Sequence, residues 1–375
     1  SWNVGLAILN LCFISAVMSL GLNIQWGYAG LFNAGVMAST ALGGLAAVLV
    51  SYSPVAEAWA VGGVDTGLAF VTLVLTALGA WWIRNKVPAG PLRRVLYLAW
   101  LLGGYVLLRH FYEQASLNIE AVDPAQTGFL GGLGLPILIS WIAGGVAAAG
   151  LAWVVGRIAL GLRSDYFAIA TLGISEIIIS ILKNEDWLTR GVKNVTGLER
   201  PVPYEVDLQQ SQWFEDLVIR LHSADPNRIG EETLQEMVMS ASGIFVKLCY
   251  SGLFLTVLLL ILGLAALALN SPWGRMMRAI RDNEIAAAAM GKDVTNRHRQ
   301  VFILGSAVIG VAGAMLTTLD GQFTPGSYIP LRFTFLIWVM VIIGGSGNNL
   351  GAVLGAFITW FAWIEAEPVA LWAVE

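Results

Sequence analysis

Charge is what this chain has least of. Asp, Glu, Lys and Arg make up 12% of its 375 residues, against roughly 25% in soluble domains. That shortage excludes a water-soluble globular fold. Histidine is nearly missing too: three residues, at 110, 222 and 298, with no metal-ligand spacing among them. The two cysteines, Cys12 and Cys249, each fall in an apolar segment. They read as small hydrophobes, so neither a disulfide framework nor a thiolate metal site is expected. No G-x-x-x-x-G-K-[ST] loop occurs to cradle nucleotide phosphates. The nearest glycine-rich run, "GGSGNNLG" (344–351), lacks the lysine and the following hydroxyl and reads as a tight hairpin. No nucleophile–base constellation and no cleavable leader are visible. The chain is therefore not expected to be an enzyme, to hold a metal or cofactor of its own, or to bind nucleic acid.

What remains is apolar. Hydrophobic residues reach 57%, with 42 Gly and 15 Trp, and the mean hydropathy is +0.71. A membrane span needs about 20 such residues. Candidate spans lie at 4–25, 29–51, 67–83, 94–109, 136–160, 166–182, 245–269, 301–319, 331–347 and 350–365. Continuous apolar runs without period-two alternation exclude a barrel. The expected fold is all-α: a polytopic transmembrane bundle of about ten spans forming a single domain over 1–375. The 29–51 segment opens "GYAGLFNAGVM" and is a candidate broken or re-entrant helix, tolerated only where protein or a cavity surrounds it.

The few charges set the topology. Arg84, Lys86, Arg93 and Arg94 share one loop without an acid. Arg157 and Arg163 flank a second loop, and six cations fill 275–299. All three loops fall on one side, predicted cytoplasmic. The loop 110–135 carries Glu113, Glu120 and Asp123, and 183–244 carries eleven acids against six bases; both fall on the outer side. This parity places both ends of the chain outside.

Two loops have structure of their own. In 271–300, Ser271 is a candidate N-cap with Pro272 at the first helical position. Arg275, Arg278 and Arg281 form one stripe toward water or lipid phosphates. Asp282 or Asn283 can cap a short helix, "EIAAAAM", with Glu284 in its first turn, and Gly291 supplies a left-handed stop. Thr295 or Asn296 can cap the next helix. The short helix has little bulk at Ala286–Ala289, and two turns alone are marginal in water, so a partner groove is expected to hold it. In 183–244, Ser211 is a candidate cap for "SQWFEDLVIRLH", where Trp213, Phe214, Leu217, Val218 and Leu221 make an apolar stripe. A second helix is expected through "EETLQEMVMSA". This loop is either a lid on the bundle or a docking surface for an extracytoplasmic partner, with Trp213, Phe214, Glu215 and Asp216 as the docking candidates.

"SPWGRMMRAIRDNEIAAAAMGKDVT" followed by "VFILGSAVIGVAGAM" resembles the cytoplasmic EAA loop of ABC importer permeases. "GLNIQWGYAGL" (21–31), "LRSDYFAIATLGISEI" (162–177) and "GGSGNNLGAVLGAF" (344–357) resemble, in order, other blocks of one family. That family is the M-type transmembrane permease subunit of branched-chain, or hydrophobic, amino acid ABC importers. The resemblance implies a bacterial inner-membrane, multi-pass protein that translocates a small solute delivered by a periplasmic binding protein. It implies a homologous second permease subunit and two cytoplasmic ATPase subunits, which would hold the ATP and Mg. It implies that Arg281, Glu284, Ala286, Ala287 and Gly291 couple to the ATPase, and that family members carry flanking spans. Where relatives read "SLGHG", this chain reads "NAGVM", with Val36 at the histidine position.

Polar groups for a solute path are Asn23, Gln25, Asn33 and Thr171, with Gly27 and Gly30 exposing backbone. Glu176 lies about three turns into its span. It is either a path group or a hydrogen-bonded lock between helices. Relatives that carry urea or short amides keep similar blocks, so those solutes stay open. A stand-alone secondary transporter would need inverted repeats and an ion-coupling site, and neither is visible.

Overall fold

The computed structural model describes residues 2–123, 128–184, 194–221 and 231–374. Each long apolar run satisfies its backbone internally as a helix, as lipid requires. The helices are α1 (Trp2–Leu22), α2 (Val36–Ser51), α3 (Ala56–Lys86), α4 (Pro91–Glu120), α5 (Ile137–Ala159) and α6 (Ser164–Asn184). There follow α7 (Glu205–Gln209), α8 (Gln212–Leu221), α9 (Glu231–Asn270), α10 (Pro272–Asp282), α11 (Glu284–Ala289), α12 (Val294–Asp320), α13 (Pro330–Gly344) and α14 (Asn349–Val374). Among the described residues, seven helices are long and apolar enough to cross a membrane, and three shorter apolar ones are α2, α13 and the 349–364 part of α14. The protein is an all-α, multi-pass membrane protein.

The core is built from α1, α2, α5 and α12, with α9 and the α13–α14 hairpin packed against α1. Close crossing depends on missing side chains. A Cβ on Gly310 would stand 2.4 Å from the Gly144 carbonyl, and one on Gly43 only 2.0 Å from the Gly310 carbonyl. Three helices thus touch backbone to backbone. Polar glue joins α1 to α9: Ser251 Oγ donates to Asn10 Oδ1 at 2.8 Å, and Asn10 Nδ2 donates to the Lys247 carbonyl at 3.2 Å. The α3–α4 pair packs chiefly on itself and touches the rest of the bundle little.

Three boundaries differ from the sequence reading. The first span runs on through a π-helical turn, Asn23–Gly27. Residues 30–35 are not helical, and α2 starts only at Val36, so the predicted 29–51 span is broken into a non-helical link and a short helix. The helix expected over "EETLQEMVMSA" is no separate element, because it continues unbroken into the span as the 40-residue α9. No Gly or Pro interrupts that run before Gly243.

In the long loop, Val195 and Thr196 pair antiparallel with Phe323 and Gln322. That short ladder ties the loop to the turn after α12. α8 forms where expected, but Ser211 does not cap it by its side chain; its hydroxyl donates to the Leu208 carbonyl at 2.7 Å. Residues 185–193 and 222–230 of this loop lie outside the described residues.

Candidate functional site

The loops holding most of the arginines gather at one end of the bundle, and the site is built there. α10 opens with Pro272 at its first position, where a missing N–H costs nothing. Ser271 sits at the cap position, yet its hydroxyl donates to the Ala268 carbonyl at 2.6 Å. The arginine stripe does not simply face solvent. Arg275 Nη1 donates to the Asn270 carbonyl at 3.1 Å and Arg278 Nη2 to the Leu269 carbonyl at 3.3 Å. Both carbonyls end α9 and lack intrahelical partners, so cations there satisfy them and suit the dipole.

Arg281 reaches further. Its Nη1 donates to the Gly27 carbonyl at 2.6 Å, at the end of the π-helical turn. The same guanidinium bonds Asp282 Oδ1 at 3.1 Å. α10 is thereby fastened to the start of the link between α1 and α2.

α11 follows directly. Asn283 Oδ1 accepts from the Ala286 N–H at 2.9 Å, so Asn283 is its cap. Glu284 occupies the first turn. Gly291 has φ of +76°, a backbone that L side chains adopt only at a cost of about 1–2 kcal/mol. Asp293, rather than Thr295 or Asn296, caps α12, accepting from the Asn296 N–H at 3.0 Å. The helix starts earlier than expected, at Val294, so Asp293 holds the cap position and Thr295 and Asn296 lie inside the first turn. No residue of α11 is buried. Ile285 is 83% exposed and Met290, just beyond its end, 80%. Ala287 packs half-buried on the chain's own core, whereas Ile285 and Met290 stand bare on the other side of it, apolar without intrachain cover.

The link between α1 and α2 is held by a dense set of bonds. Asn23 Nδ2 donates to Asn349 Oδ1 at 3.0 Å, while Asn23 Oδ1 accepts from the Gly347 N–H at 2.8 Å. Gln25 Nε2 donates to the Phe302 carbonyl and to Ser306 Oγ at 2.9 and 3.0 Å. Asn33 Nδ2 donates to Gln25 Oε1 at 2.8 Å. Trp338 Nε1 donates to the Asn33 carbonyl at 3.0 Å, and its ring stacks on Phe32 with centroids 4.1 Å apart. Gly30 turns the chain with φ of +72°. α2 has no side-chain cap of its own. Instead α6 supplies one: Thr171 Oγ1 accepts from the Ala34 N–H and Ser175 Oγ from the Ala38 N–H, both at 3.1 Å.

The predicted path residues therefore do not converge on one cavity. Asn23, Gln25, Asn33 and Thr171 are buried and bonded within the chain. The space beside Asn33, Thr171, Ser175 and Ser306 is about 20 Å³, room for about one water. Gly27 and Gly30 lie by Arg281. Glu176 points the other way, on the outward face of α6 that also exposes Ile169, Gly173, Ile177 and Ser180. Trp338, Asn349, Ser175 and Ser306 are missing from the sequence reading. Ser175 had a signal, since it lies one helical turn from Thr171; a lone tryptophan in an apolar run has none.

At the opposite end, the docking candidates divide. Phe214 is 2% exposed and its ring lies 5.6 Å from that of Phe245 on α9, so it is a packing residue and cannot meet a partner. Trp213 is 56% exposed, Asp216 is exposed and Glu215 half-buried. Nearby, burial pushes the Tyr328 phenol up to about 12, and its hydroxyl lies 3.3 Å from Thr317 Oγ1.

Residues 5–372 match the model of a family described as branched-chain amino acid transport system / permease component. The chain belongs to this family. It is 24% identical over 344 residues to a probable branched-chain amino acid transport permease protein LivM of Methanocaldococcus jannaschii, covering 90% of this chain and 74% of that protein. It is 26% identical over 221 residues to a LivM permease of the high-affinity branched-chain amino acid transport system of Salmonella typhimurium, covering 57% of this chain and 47% of that one. A shorter match, 31% over 102 residues, is to a probable LivH permease of the same archaeon. The chain thus spans about half the length of the bacterial relative. No solved structure matches it. The sequence resemblance and the family match agree.

Proposed function

We propose that this chain is the membrane-spanning permease subunit of an ATP-driven importer for branched-chain or other hydrophobic amino acids, and that α11 is its contact with a cytoplasmic ATPase subunit. The observation that carries this is the capped six-residue helix left bare at the basic end, with Ile285 and Met290 exposed and Arg281 tying its base to Gly27. A slim helix with apolar studs fits a groove on another protein. Glu284, Ala286 and Gly291 shape the part that enters the groove, while Ala287 seats the helix on the chain's own core. In this reading the basic end is cytoplasmic, the membrane is a bacterial inner membrane, and ATP and Mg sit on two partner subunits. A second permease subunit related in sequence completes the translocator, and a periplasmic binding protein delivers the solute to the opposite end, near Trp213 and Asp216.

The solute route is assigned to the outward face of α6. A carboxylate there is costly against lipid, so Glu176 suits a seam shared with the second permease subunit. Asn23, Gln25, Gly27, Gly30, Asn33 and Thr171 form the wall behind it, which shifts when α11 is moved. The contact is tested with Ile285→Asp in the complete complex. Because the side chain is exposed, the variant is expected to reach the membrane and melt like the parent, yet to lose co-purification of the ATPase. Undiminished ATPase recovery would contradict the assignment of α11.

A further inference from the structure

The α3–α4 hairpin carries a feature that the transport reading does not use. Arg84 ends α3 while Arg93 and Arg94 open α4, and with Tyr97 these three arginines line one open cleft of about 270 Å³. Arg93 and Tyr97 are half-buried in it; Arg84 and Arg94 are exposed. Lys86 stands in the same turn. Among the described residues, no ion pair or side-chain hydrogen bond involves any of these four cations. Ordinary loop cations diverge into water; these three converge with a phenol and have no carboxylate to neutralise them.

The surroundings give the ligand its other half. Along α4, Leu98, Leu101 and Tyr105 follow Arg94 at intervals of four, three and four residues, so they share its face. Along α3, Leu73 and Trp81 lie on the side of Arg84 by the same spacing. Leu73, Trp81, Leu98 and Tyr105 are between 49% and 62% exposed. An arginine cage thus sits at the foot of an apolar stripe, on helices that touch the rest of the bundle little.

We infer that this cleft is a binding site for an anionic phospholipid of the leaflet on the basic side. Its phosphate is held by Arg84, Arg93 and Arg94, and an acyl chain lies along the Leu98 stripe. Guanidinium forks match phosphate oxygens bidentately, and a basic pocket at the membrane surface favours anionic headgroups by about 1 kcal/mol per cation. A zwitterionic headgroup brings its own cation and loses that advantage.

The test uses the purified full chain in detergent, titrated with phosphatidylglycerol or phosphatidylcholine and read by native mass spectrometry and by thermal melting. Phosphatidylglycerol is expected to bind about a hundredfold more tightly than phosphatidylcholine, the effect of three such cations. The triple variant Arg84→Gln, Arg93→Gln, Arg94→Gln should abolish that preference, and the matching triple lysine variant should keep most of it, which separates charge from folding. Glycerol 3-phosphate at millimolar concentration should not compete. Equal retention of both lipids, preference surviving in the glutamine variant, or displacement by glycerol 3-phosphate would each overturn the proposal.

Discussion

Gln25 is fully buried on α1's π-helical turn and makes three bonds: two donated to α12 and one accepted from Asn33. Each partner is itself buried or half-buried, so removing the amide strands several polar groups at once. Leaving buried polar groups unpaired costs about 1–3 kcal/mol apiece. Gln25→Leu is therefore expected to lower the melting temperature in detergent, whereas Gln25→Glu, which keeps the acceptor, should also fail because the two donated bonds are lost. A melting curve for Gln25→Leu matching the parent would count against the lock. Sequence reading found Gln25, Asn33 and Thr171 because amides and hydroxyls are conspicuous in apolar runs. In the structure each of them bonds a neighbouring segment of the same chain. Which atoms they bond is set by distant helices, and no local pattern encodes it.

The elements show the same division. Long apolar helices were legible, since lipid leaves an apolar run of that length no other structure. The break at 30–35 was only half legible: the glycines announced a broken or re-entrant helix, but the start of α2 at Val36 depends on caps lent by Thr171 and Ser175 of α6, which no local pattern encodes. α8 was visible as an amphipathic stripe, while its partner surface, the outer extension of α9, was read as a separate helix. The packing of Phe214 on Phe245 makes a specific expectation. Phe214→Ala should destabilise the fold by about 3–5 kcal/mol, as for a buried aromatic. Asp216→Lys, on the exposed side of the same helix, should leave the melting temperature alone and weaken capture of the binding protein measured by surface plasmon resonance. Unchanged capture by Asp216→Lys would make α8 a lid and nothing more.

At the scale of the molecule, the two ends are joined mechanically through α1. The same helix that is glued to α9 by Asn10 ends at Gly27, which receives Arg281 from the base of α11. In the proposed coupling, a push on α11 passes through Arg281 and Gly27 to the 23–35 link, α2 and the inner face of α6. Coupling of this kind requires an element whose position both sites bias, and the proposal gives that part to the link 23–35. The central claim is that Arg281 carries the stroke. The most direct measurement is solute taken up per ATP hydrolysed, in proteoliposomes holding the complete importer with Arg281→Met. Losing a charge-assisted bond of about 1.5–3 kcal/mol should cut uptake per ATP at least about tenfold while the ATPase still assembles and turns over, and Arg281→Lys should restore part of it. Uptake per ATP equal to that of the parent, with the Gly27 contact abolished, would contradict the account.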